Sequence, residues 1–431
     1  MTLRMHFPLK LGTAKIDITP TWPVPLAGFQ ERQGVFEKVL HPLQARVLSF
    51  ELNDRQGRAR IAVLISADLI WWGTNQTIAV KQTLNKKWGI EDAAILLHAT
   101  HNHSGPQTTD EFSPSIGIMD WDYACELERA VIRGVEQSLQ SLQPVVVERG
   151  RGVCEIGINR RRKINGRVEM APNLSGVRDP ELQVIAFRAL TGVTRALIVH
   201  YTCHPTTTAD NYVSSEFPGL AMQGLEDIEG LEVAMYLQGC CGDIRPSLTR
   251  DDSFYRGGDE EVCALGAELS QQVLSVLRGN LQACRPGSYG ANKTHVSLDF
   301  TTLPTEAELR GYQCRPDIEG EWSRGLLENP KRLHPRVLEL SRLDLCEGLS
   351  LIGMNAEMVV EYGLFIKSRL SSQILPVAYS NGMIGYVTTA RQLSEGGYEP
   401  AESCRYFGLP SPYAADSEAR IHEALTRCWR S

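Results

Sequence analysis

Hydrophobic positions recur along the chain with two different periods, which distinguish predicted strands from predicted helices. Apolar runs and period-two alternation predict strands at residues 11–19, 43–52, 59–66, 93–98, 144–149, 153–158, 182–188, 194–200, 233–238, 294–300, 349–354 and 358–360. Helical spacing and helix-start signals predict helices at residues 74–88, 120–142, 215–225, 259–278 and 363–370. A capped helix start is predicted at 304–309, whereas residues 310–342 are strongly charged with little strand character.

Strands that are interspersed with helices favour an α/β fold, in which layered mixed β-sheets are flanked by helices. No internal repeat, low-complexity tract or Gly/Ser linker divides the sequence. We therefore expect a single domain over residues 1–431, in which the one boundary worth considering lies near Pro286.

Composition and charge exclude several classes of protein. The chain has 431 residues, is 42% hydrophobic and 22% charged, and carries a formal net charge of −7 with one dense basic run at 160–163. Nucleic acid is not an expected partner, because phosphate binding requires a concentrated positive face. No apolar run approaches the ~20 residues that span a bilayer, and residues 1–10 show no secretion signal. We therefore expect a cytoplasmic protein that acts on a small molecule, and the oligomeric state stays open.

A strand that ends in a histidine cluster is the first candidate for chemistry. The apolar run 95–97 leads into His98, His101 and His103, and a Ser-Gly-Pro turn follows at 104–106. In an extended backbone His101 and His103 would point to the same side, because side chains two positions apart share a face. Two converging imidazoles suit a metal ion or a proton-transfer pair. The alternative is a polar loop that is rich in histidine by chance.

A second predicted strand repeats this design. Residues 194–200 lead to His204-Pro205, and because proline restricts the local backbone we expect His204 to be held in one orientation. His200 lies within the strand, which favours a hydrogen-bonded histidine of the core. Five of the ten histidines lie in these two clusters, and their spacing matches no zinc-finger pattern. The pattern favours a metal site that is split between distant segments.

Eight motifs, taken in order, are similar to those of the neutral (non-lysosomal) ceramidase family, specifically its N-terminal catalytic domain. They are GTAKIDITP at 12–20, THNHSGP at 100–106, GINR at 157–160, HP at 204–205, SSEFPG at 214–219, QGCCGDI at 238–244, GYVTT at 385–389 and EGGYE at 395–399. The resemblance spans about residues 11 to 400. It implies a ceramidase-like fold with layered sheets, and a hydrolase that acts on an amide bond.

The resemblance also implies a single zinc ion held by two histidines, a glutamate and a tyrosine. Matched motif by motif, these ligands are His101, His204, Glu357 and Tyr386, with Glu361 as the alternative carboxylate. Three further residues match family residues that surround the substrate carbonyl, and they are His103, Arg160 and Tyr398.

The chain departs from the family pattern in three respects. Arg245 stands where the family has a serine that is proposed as catalytic, and Ser247 is displaced by two positions. The secretion signal of many ceramidases has no counterpart, and we expect no C-terminal immunoglobulin-like domain. The chemistry survives the loss of the serine, because zinc alone lowers the pKa of bound water to about 7. Asp68 and Asp243 are candidate partners of the ligand histidines, with a turn or capping role as the alternative.

These observations predict a zinc-dependent amide hydrolase that uses a metal-activated water. Because residues 310–342 and 110–120 are charged, we expect a substrate that is smaller or more polar than ceramide. One alternative is an ester or lactone hydrolase with the same site. Another is a zinc-binding homologue that has lost turnover, as marked by Arg245. A third is that the motifs specify only the fold and that no metal binds.

Overall fold

The structure is a computed structural model that describes residues 9–430 of the chain. The prediction that residues 1–10 carry no secretion signal therefore falls almost entirely outside the described residues. Within the described range, no helix is both long enough and apolar enough to cross a membrane.

The described residues form many short strands and a smaller number of helices. The strands are β1 Lys10–Asp17, β2 Lys38–Val39, β3 Gln44–Asn53, β4 Ala59–Ala67, β5 Ile95–Ala99, β6 Gln143–Val153, β7 Gly157–Ile164, β8 Arg167–Asn173, β9 Glu181–Ala189, β10 Thr194–Tyr201, β11 Tyr212–Val213, β12 Val233–Gln238, β13 Ile244–Pro246, β14 Thr249–Arg250, β15 Ser253–Phe254, β16 Gln282–Ala283, β17 Gly290–Leu298, β18 Arg336–Cys346, β19 Leu349–Met354, β20 Glu357–Met358, β21 Ile374–Val377 and β22 Tyr386–Val387. The α-helices are α1 Thr74–Trp88, α2 Trp121–Gln140, α3 Glu216–Glu226, α4 Asp259–Arg278, α5 Glu306–Tyr312, α6 Ile318–Glu328, α7 Val360–Phe365, α8 Ala390–Glu395, α9 Ser403–Tyr406 and α10 Ser417–Arg430.

The largest sheet has the strand order β12-β10-β9-β6-β1-β3-β4-β5, with β16 added beside β6. Its neighbours are antiparallel except for the outermost pairs, β12 with β10 and β4 with β5, which are parallel. The two ends of the sheet come together, because the Ser66 hydroxyl of β4 donates to the Tyr236 carbonyl of β12 over 2.7 Å. The loops that follow β5 and β10 consequently leave the sheet at the same place.

Smaller sheets complete the layers around that place. Strands β17-β18-β19-β21 form a four-stranded sheet, and β13-β7-β8 form a three-stranded sheet. The two-residue strands β20 and β22 pair in parallel beside them. The three-stranded sheet contributes Arg160, and the pair β20–β22 contributes Glu357 and Tyr386, which the sequence resemblance marks as functional.

Helix α2 shows how the sequence pattern produces a packed element. Its buried side chains recur every three or four residues, and they face β1 and β3. The helix begins after Asp120, whose carboxylate accepts a hydrogen bond from the Tyr123 amide at 2.8 Å. A cap of this kind typically contributes about 1 kcal/mol. Burial of the apolar face against the sheet supplies most of the remaining stabilisation.

The predicted α/β class with layered mixed sheets and outer helices is confirmed. Helices α1 and α4 and strands β12 and β19 have the predicted bounds. The strand predicted at 153–158 is wrong, because the chain turns at residues 154–156 and β7 starts only at Gly157. The strand predicted at 358–360 corresponds to β20, which pairs with β22 and with no larger sheet of the described residues. The expectation of little strand character over residues 310–342 is wrong at its end, because the alternating pattern from Arg336 forms β18. Strands β8 and β21 and helices α6 and α10 were not predicted.

Candidate active site

His101 lies in the loop that leaves β5, and its backbone is not extended. Its φ of 64° is left-handed, a conformation that is uncommon outside glycine. The neighbouring Asn102 holds the loop in place, because its amide donates to the carbonyls of Asp68 and Ser214 and accepts from the Ser104 amide. The expected convergence with His103 is therefore produced by a kinked loop and not by strand alternation.

His204 lies in the corresponding loop after β10. Its backbone amide and its ring Nδ1 both donate to the carbonyl of Ile244, over 3.1 and 2.8 Å. His101 is oriented in the same way, because its Nδ1 donates to the carbonyl of Ile70 over 3.0 Å. In both rings the proton is therefore on Nδ1, which leaves a lone pair on Nε2.

The free Nε2 atoms of these two rings converge on a buried carboxylate. Oε2 of Glu357 lies 3.4 Å from Nε2 of His101 and 3.5 Å from Nε2 of His204. Nε2 of His204 and Oε2 of Glu357 are buried and have no hydrogen-bond partner among the described residues. Buried polar atoms normally have partners, so these two require an explanation.

The pairing of β20 with β22 brings Glu357 next to Tyr386. The two residues are direct partners in the parallel register. The Tyr386 hydroxyl accepts a hydrogen bond from Nη2 of Arg160 at 2.9 Å. The alternative carboxylate, Glu361, instead bonds to Arg391 at 2.6 Å, so the structure places Glu357 and not Glu361 beside the histidines.

His103 joins the same cluster from the side of the cavity. Its Nε2 lies 3.2 Å from Nε2 of His101, and the ligand atoms of His101, His103 and His204 all lie within 4.8 Å of one another. Gly28, with φ 99°, lets the chain approach the His103 ring closely, because a Cβ at that position would lie 2.3 Å from Nδ1. The structure thus offers a set of three imidazoles as well as the set that contains Glu357.

Arg160 is held by an ion-pair network and is not free. Its Nε donates to Glu399 at 2.7 Å, and the same carboxylate accepts from Arg161 at 2.6 Å. The guanidinium carbon lies 5.8 and 5.6 Å from the ring centroids of Tyr386 and Tyr398. The structure therefore brings all seven predicted site residues into one region, where Arg160 contacts both Tyr386 and Tyr398.

Burial and neighbouring charges shift the titration of this cluster. Burial lowers the pKa of His204 to about 4, and burial together with the two neighbouring imidazoles lowers the pKa of His103 well below 6.5. Burial alone would raise the pKa of Glu357, but His101 and His204 hold it well below its ordinary value. At neutral pH the Glu357 carboxylate is therefore ionised and the His103 and His204 rings are neutral, a combination that attracts a cation.

Asp68 and Asp243 were expected to be hydrogen-bond partners of the proposed ligand histidines, and the structure corrects this expectation. Asp68 accepts from the Gln44 amide and lies 3.3 Å from Arg46, while Asp243 accepts from the Val360 amide and from Asn159. The rings of His101 and His204 bond to the backbone carbonyls of Ile70 and Ile244 instead. Because any residue type supplies a carbonyl, no side chain in the sequence could mark these partners.

Sequence reasoning missed one residue that contacts the cluster directly. Tyr379 stacks on the His101 ring with 3.9 Å between centroids and 22° between planes. Its hydroxyl lies 3.1 Å from Sγ of Cys241. Tyr379 follows the short strand β21, which was not predicted, and has a φ of 55°, which sequence periodicity does not reveal.

A cavity of about 220 Å³ opens onto the cluster. His103, His204, Tyr386 and Tyr398 form its floor, and His101 and Glu357 lie below them. The donor set suits a zinc ion, because imidazole nitrogens and carboxylate or phenol oxygens are ligands of that metal. A divalent cation held between His204 and Glu357 would also give their unpartnered atoms a partner.

Comparisons with known proteins support the fold. The chain matches the crystal structure of neutral ceramidase from Pseudomonas aeruginosa with a TM-score of 0.75 and 18% identity, over 98% of this chain and 75% of that one. A structure of a ceramidase complexed with C2 matches with a TM-score of 0.77 and 18% identity, over 97% of this chain and 74% of that one. No protein-family model and no curated protein matches the sequence. The chain therefore has a neutral ceramidase-like fold.

Proposed function

We propose that this protein is a zinc-dependent hydrolase that cleaves the amide bond of a small N-acyl amide. The observation that carries the proposal is the convergence of His101, His204 and Glu357 at 3.4–3.5 Å, with two of the meeting atoms buried and unpartnered. Tyr386, paired with Glu357 across two short strands, completes the proposed ligand set. Neutral ceramidases share this fold, and an amide bond is the bond that a ceramidase cleaves.

A zinc ion bound by these residues would lower the pKa of a water molecule to about 7 and polarise a carbonyl group. The chain's own residues prepare that chemistry. Ile70 and Ile244 accept the Nδ1 protons of His101 and His204 and so keep both Nε2 lone pairs directed inward. The lowered pKa of His204 keeps its ring neutral, and therefore able to bind a metal, at neutral pH.

Two donors face the space where a substrate carbonyl would lie. Nε2 of His103 lies 3.2 Å from Nε2 of His101, and a zinc ion on the His101 lone pair would leave a proton on Nε2 of His103 free to reach a substrate oxygen. Burial raises the pKa of Tyr398, so its hydroxyl stays protonated and can donate. Arg160 positions Tyr386 and Tyr398 through its hydrogen bond and ring contacts. Donors of this kind stabilise the negative charge that develops on a carbonyl oxygen.

The size and lining of the cavity support a small, polar substrate. A volume of about 220 Å³ lies below the ~300–1,000 Å³ of pockets that hold drug-sized ligands. Its lining includes charged residues, among them Glu31 and Arg245. A molecule with two long lipid chains would therefore leave most of its apolar surface outside the cavity.

We also propose that the chain works as one unit over residues 1–431. The proposed ligands extend from His101 to Tyr386 and lie on both sides of the boundary considered near Pro286. A split at that position would separate His101 and His204 from Glu357 and Tyr386. Separate folding of the two parts would argue against this proposal.

Metal analysis and a substrate panel test the proposed function. We expect one zinc per chain in the purified protein, and hydrolysis of short N-acyl amides that stops on chelation and returns with zinc. Parallel ester and lactone substrates determine which carbonyl compound is preferred. A protein that binds zinc stoichiometrically but cleaves no member of the panel would be a metal-binding homologue without turnover. A protein without zinc would overturn the metal site itself.

Replacement of His103 separates a hydrogen-bond donor from a third imidazole ligand. We expect His103→Ala to retain zinc and to lose about 100- to 1000-fold in kcat, as on removal of one oxyanion donor. If zinc content falls together with activity, His103 belongs to the ligand set. The zinc stoichiometry of wild type and variant, measured on the same preparations, decides between these two roles.

A further inference from the structure

The wall of the cavity carries an excess of positive charge. Arg160, Arg245 and Arg256 line it, whereas Glu31, at the exposed rim, is the acidic residue of the lining. Arg160 is neutralised by Glu399 directly behind it. The charges of Glu31 and Glu216 act on Arg256 and oppose the lowering of its pKa by burial. No carboxylate acts on Arg245 in this way, so Arg245 is the guanidinium whose charge its surroundings leave unbalanced.

Arg245 is buried without an acidic partner. Its exposed fraction is 7%, and its Nε has no hydrogen-bond partner. Among residues 9–430, no carboxylate lies within ion-pair distance of Arg245 or of Arg256. A buried charge without a partner is costly, and proteins retain one where a ligand supplies the opposite charge.

The strand that carries Arg245 determines the direction of its side chain. Strand β13 pairs antiparallel with β7, and the side chain of Ile244 packs into the core against Gly157. Arg245, the next residue, points to the opposite side and reaches the cavity. The Ile244 carbonyl holds the His204 ring, so the same three-residue strand orients a proposed zinc ligand and presents a guanidinium next to it.

Aromatic rings cover the faces of both guanidinium groups and leave their edges free. The guanidinium carbon of Arg245 lies 4.4 Å from the Phe254 ring centroid, and that of Arg256 lies 4.1 Å from the Phe29 centroid. The N–H donors of arginine lie in the guanidinium plane, so stacking does not consume them. Arg256 donates to the Thr206 carbonyl at 3.5 Å, and Arg245 makes no side-chain hydrogen bond within the described range.

We infer that Arg245, assisted by Arg256, binds a carboxylate of the substrate, so that the preferred substrates are small N-acyl amides that carry an acidic group close to the scissile bond. The anion site follows from the cavity alone, whereas the substrate class rests on the proposed amide hydrolysis. Arginine binds carboxylates through two parallel hydrogen bonds, which fixes orientation as well as charge. Burial and the charge of Arg256 lower the pKa of Arg245 to about 9, which still leaves the group protonated at neutral pH.

Matched substrate pairs test the substrate class. N-acyl glycines with short acyl chains are compared with their glycinamides, which place a neutral amide where the acid was. The monoamide of succinic acid is compared with succinamide, to place the acid on the acyl side instead. We expect one of the two acidic series to exceed its neutral partner by about 100-fold in kcat/KM, the scale of a charge-assisted pair in a dry site.

Arg245→Met and a matched control attribute this preference to one residue. In Arg245→Met the acid-to-amide ratio of kcat/KM should fall to within about 5-fold of one, because methionine keeps the apolar length and removes the charge. Arg250→Met is the control, since Arg250 also stacks on an aromatic ring, Tyr255 at 4.9 Å, but does not line the cavity. The control should keep the full ratio.

Binding of succinate, which has no amide to cleave, gives a readout that is independent of turnover. Calorimetry should show binding to the zinc-loaded protein that weakens by about 10-fold or more in Arg245→Met and is unchanged in Arg250→Met. If acidic and neutral amides are cleaved equally and Arg245→Met leaves succinate binding unchanged, the inferred carboxylate site is wrong. The proposed hydrolase activity would be unaffected by that result. If succinate binds through Arg245 but no amide is cleaved, the anion site stands and the proposed function is wrong.

Discussion

Strands β5 and β10 each carry one buried histidine and lead into a loop that carries another, and the surroundings of the two pairs differ. His98 and His200 lie within β5 and β10, whereas His101 and His204 lie three and four residues further on, in the loops. All four rings are buried to at least 99%. Burial alone therefore does not distinguish a histidine of the core from a candidate metal ligand.

The difference lies in what the second ring nitrogen faces. His98 uses both nitrogens, because Nδ1 donates to the Ala378 carbonyl at 3.0 Å and Nε2 accepts from the Gln238 amide at 3.0 Å. His200 donates from Nε2 to the Pro376 carbonyl at 2.8 Å. In the loop pair, by contrast, Nδ1 is bonded to a backbone carbonyl and Nε2 faces a carboxylate. His200 also has one ring nitrogen, Nδ1, without a partner, so what distinguishes the loop pair is that its second nitrogen faces the Glu357 carboxylate.

Alanine substitution of a loop histidine and of a strand histidine should have opposite effects on zinc binding and on stability. We expect His101→Ala to lose zinc and on the order of 10³-fold or more in kcat/KM, because even the partners of ligand histidines contribute 10- to 100-fold. His98→Ala should retain zinc stoichiometry and lose about 2–4 kcal/mol in the free energy of unfolding, because two buried backbone groups lose their partner. Zinc content and urea unfolding of the zinc-free proteins measure both effects. Equal loss of stability in both variants would remove the distinction.

Glu357 and Glu361 allow the same comparison between a proposed ligand and a nearby residue that lies outside the cluster. Glu357→Gln should reduce zinc affinity by more than about 100-fold, because a ligand contributes at least as much as its supporting partners. Glu361→Gln is the control, one helical turn away and half-buried, where loss of the Arg391 contact should cost less than about 1 kcal/mol. Competition with a chelator of known zinc affinity gives both values. If the control loses zinc and Glu357→Gln does not, Glu361 is the ligand.

Two adjacent arginines allow a similar comparison between residues that lie next to the proposed ligands. Arg160 and Arg161 share the Glu399 carboxylate, but Arg160 alone also donates to Tyr386. We expect Arg160→Met to lower kcat by about 100-fold, as for loss of one preorganised electrostatic contact, and Arg161→Met to lower it by less than about 10-fold. Zinc content and stability are measured alongside. Equal effects on kcat would mean that the ion pair with Glu399, and not the contact with Tyr386, is what matters.

The sequence predicted which residues belong to the candidate site more reliably than the secondary structure that surrounds them. The two apolar strands that end in histidine were recognisable, because burial on both faces produces a continuous hydrophobic run. The β7–β8 hairpin was missed because the hydrophobic pattern fails where β7 carries Arg160 and Arg161, whose charges bind Glu399. Strand β20 is two residues long, and its partner is nearly thirty residues away, so its pairing is a tertiary effect.

The carbonyls that orient the ligand rings were not predictable for a different reason. Sequence motifs report side chains, and they directed attention to Asp68 and Asp243 as partners of the histidines. The actual acceptors are the backbone oxygens of Ile70 and Ile244, which any residue could supply. Arg245 was noticed only as a departure from a family pattern. Its lack of an acidic partner became visible when distant segments were brought together.

The pH dependence of the free energy of unfolding should report separately on the two core histidines, His98 and His200. Burial lowers the pKa of His98 and of His200 to about 3, from 6.5 in the unfolded chain. Between these values the unfolded state binds about one more proton per histidine, so stability is present above pH 6.5 and is lost as the pH falls towards 3. Each such histidine should contribute a slope of about 1.4 kcal/mol per pH unit within this window.

Replacement of His98 by glutamine tests that slope directly. Glutamine can hydrogen-bond but does not titrate, so His98→Gln should flatten the pH dependence of the zinc-free protein by about 1.4 kcal/mol per pH unit between pH 6 and 4. The combined His98→Gln and His200→Gln protein should lose about twice that slope, because each ring accounts for about one proton and each charged ring would only lower the pKa of the other further. Urea unfolding at half-unit pH steps measures it. An unchanged slope in His98→Gln would mean that the native ring accepts a proton within the core, and that the two histidine pairs are less different than their hydrogen bonds indicate.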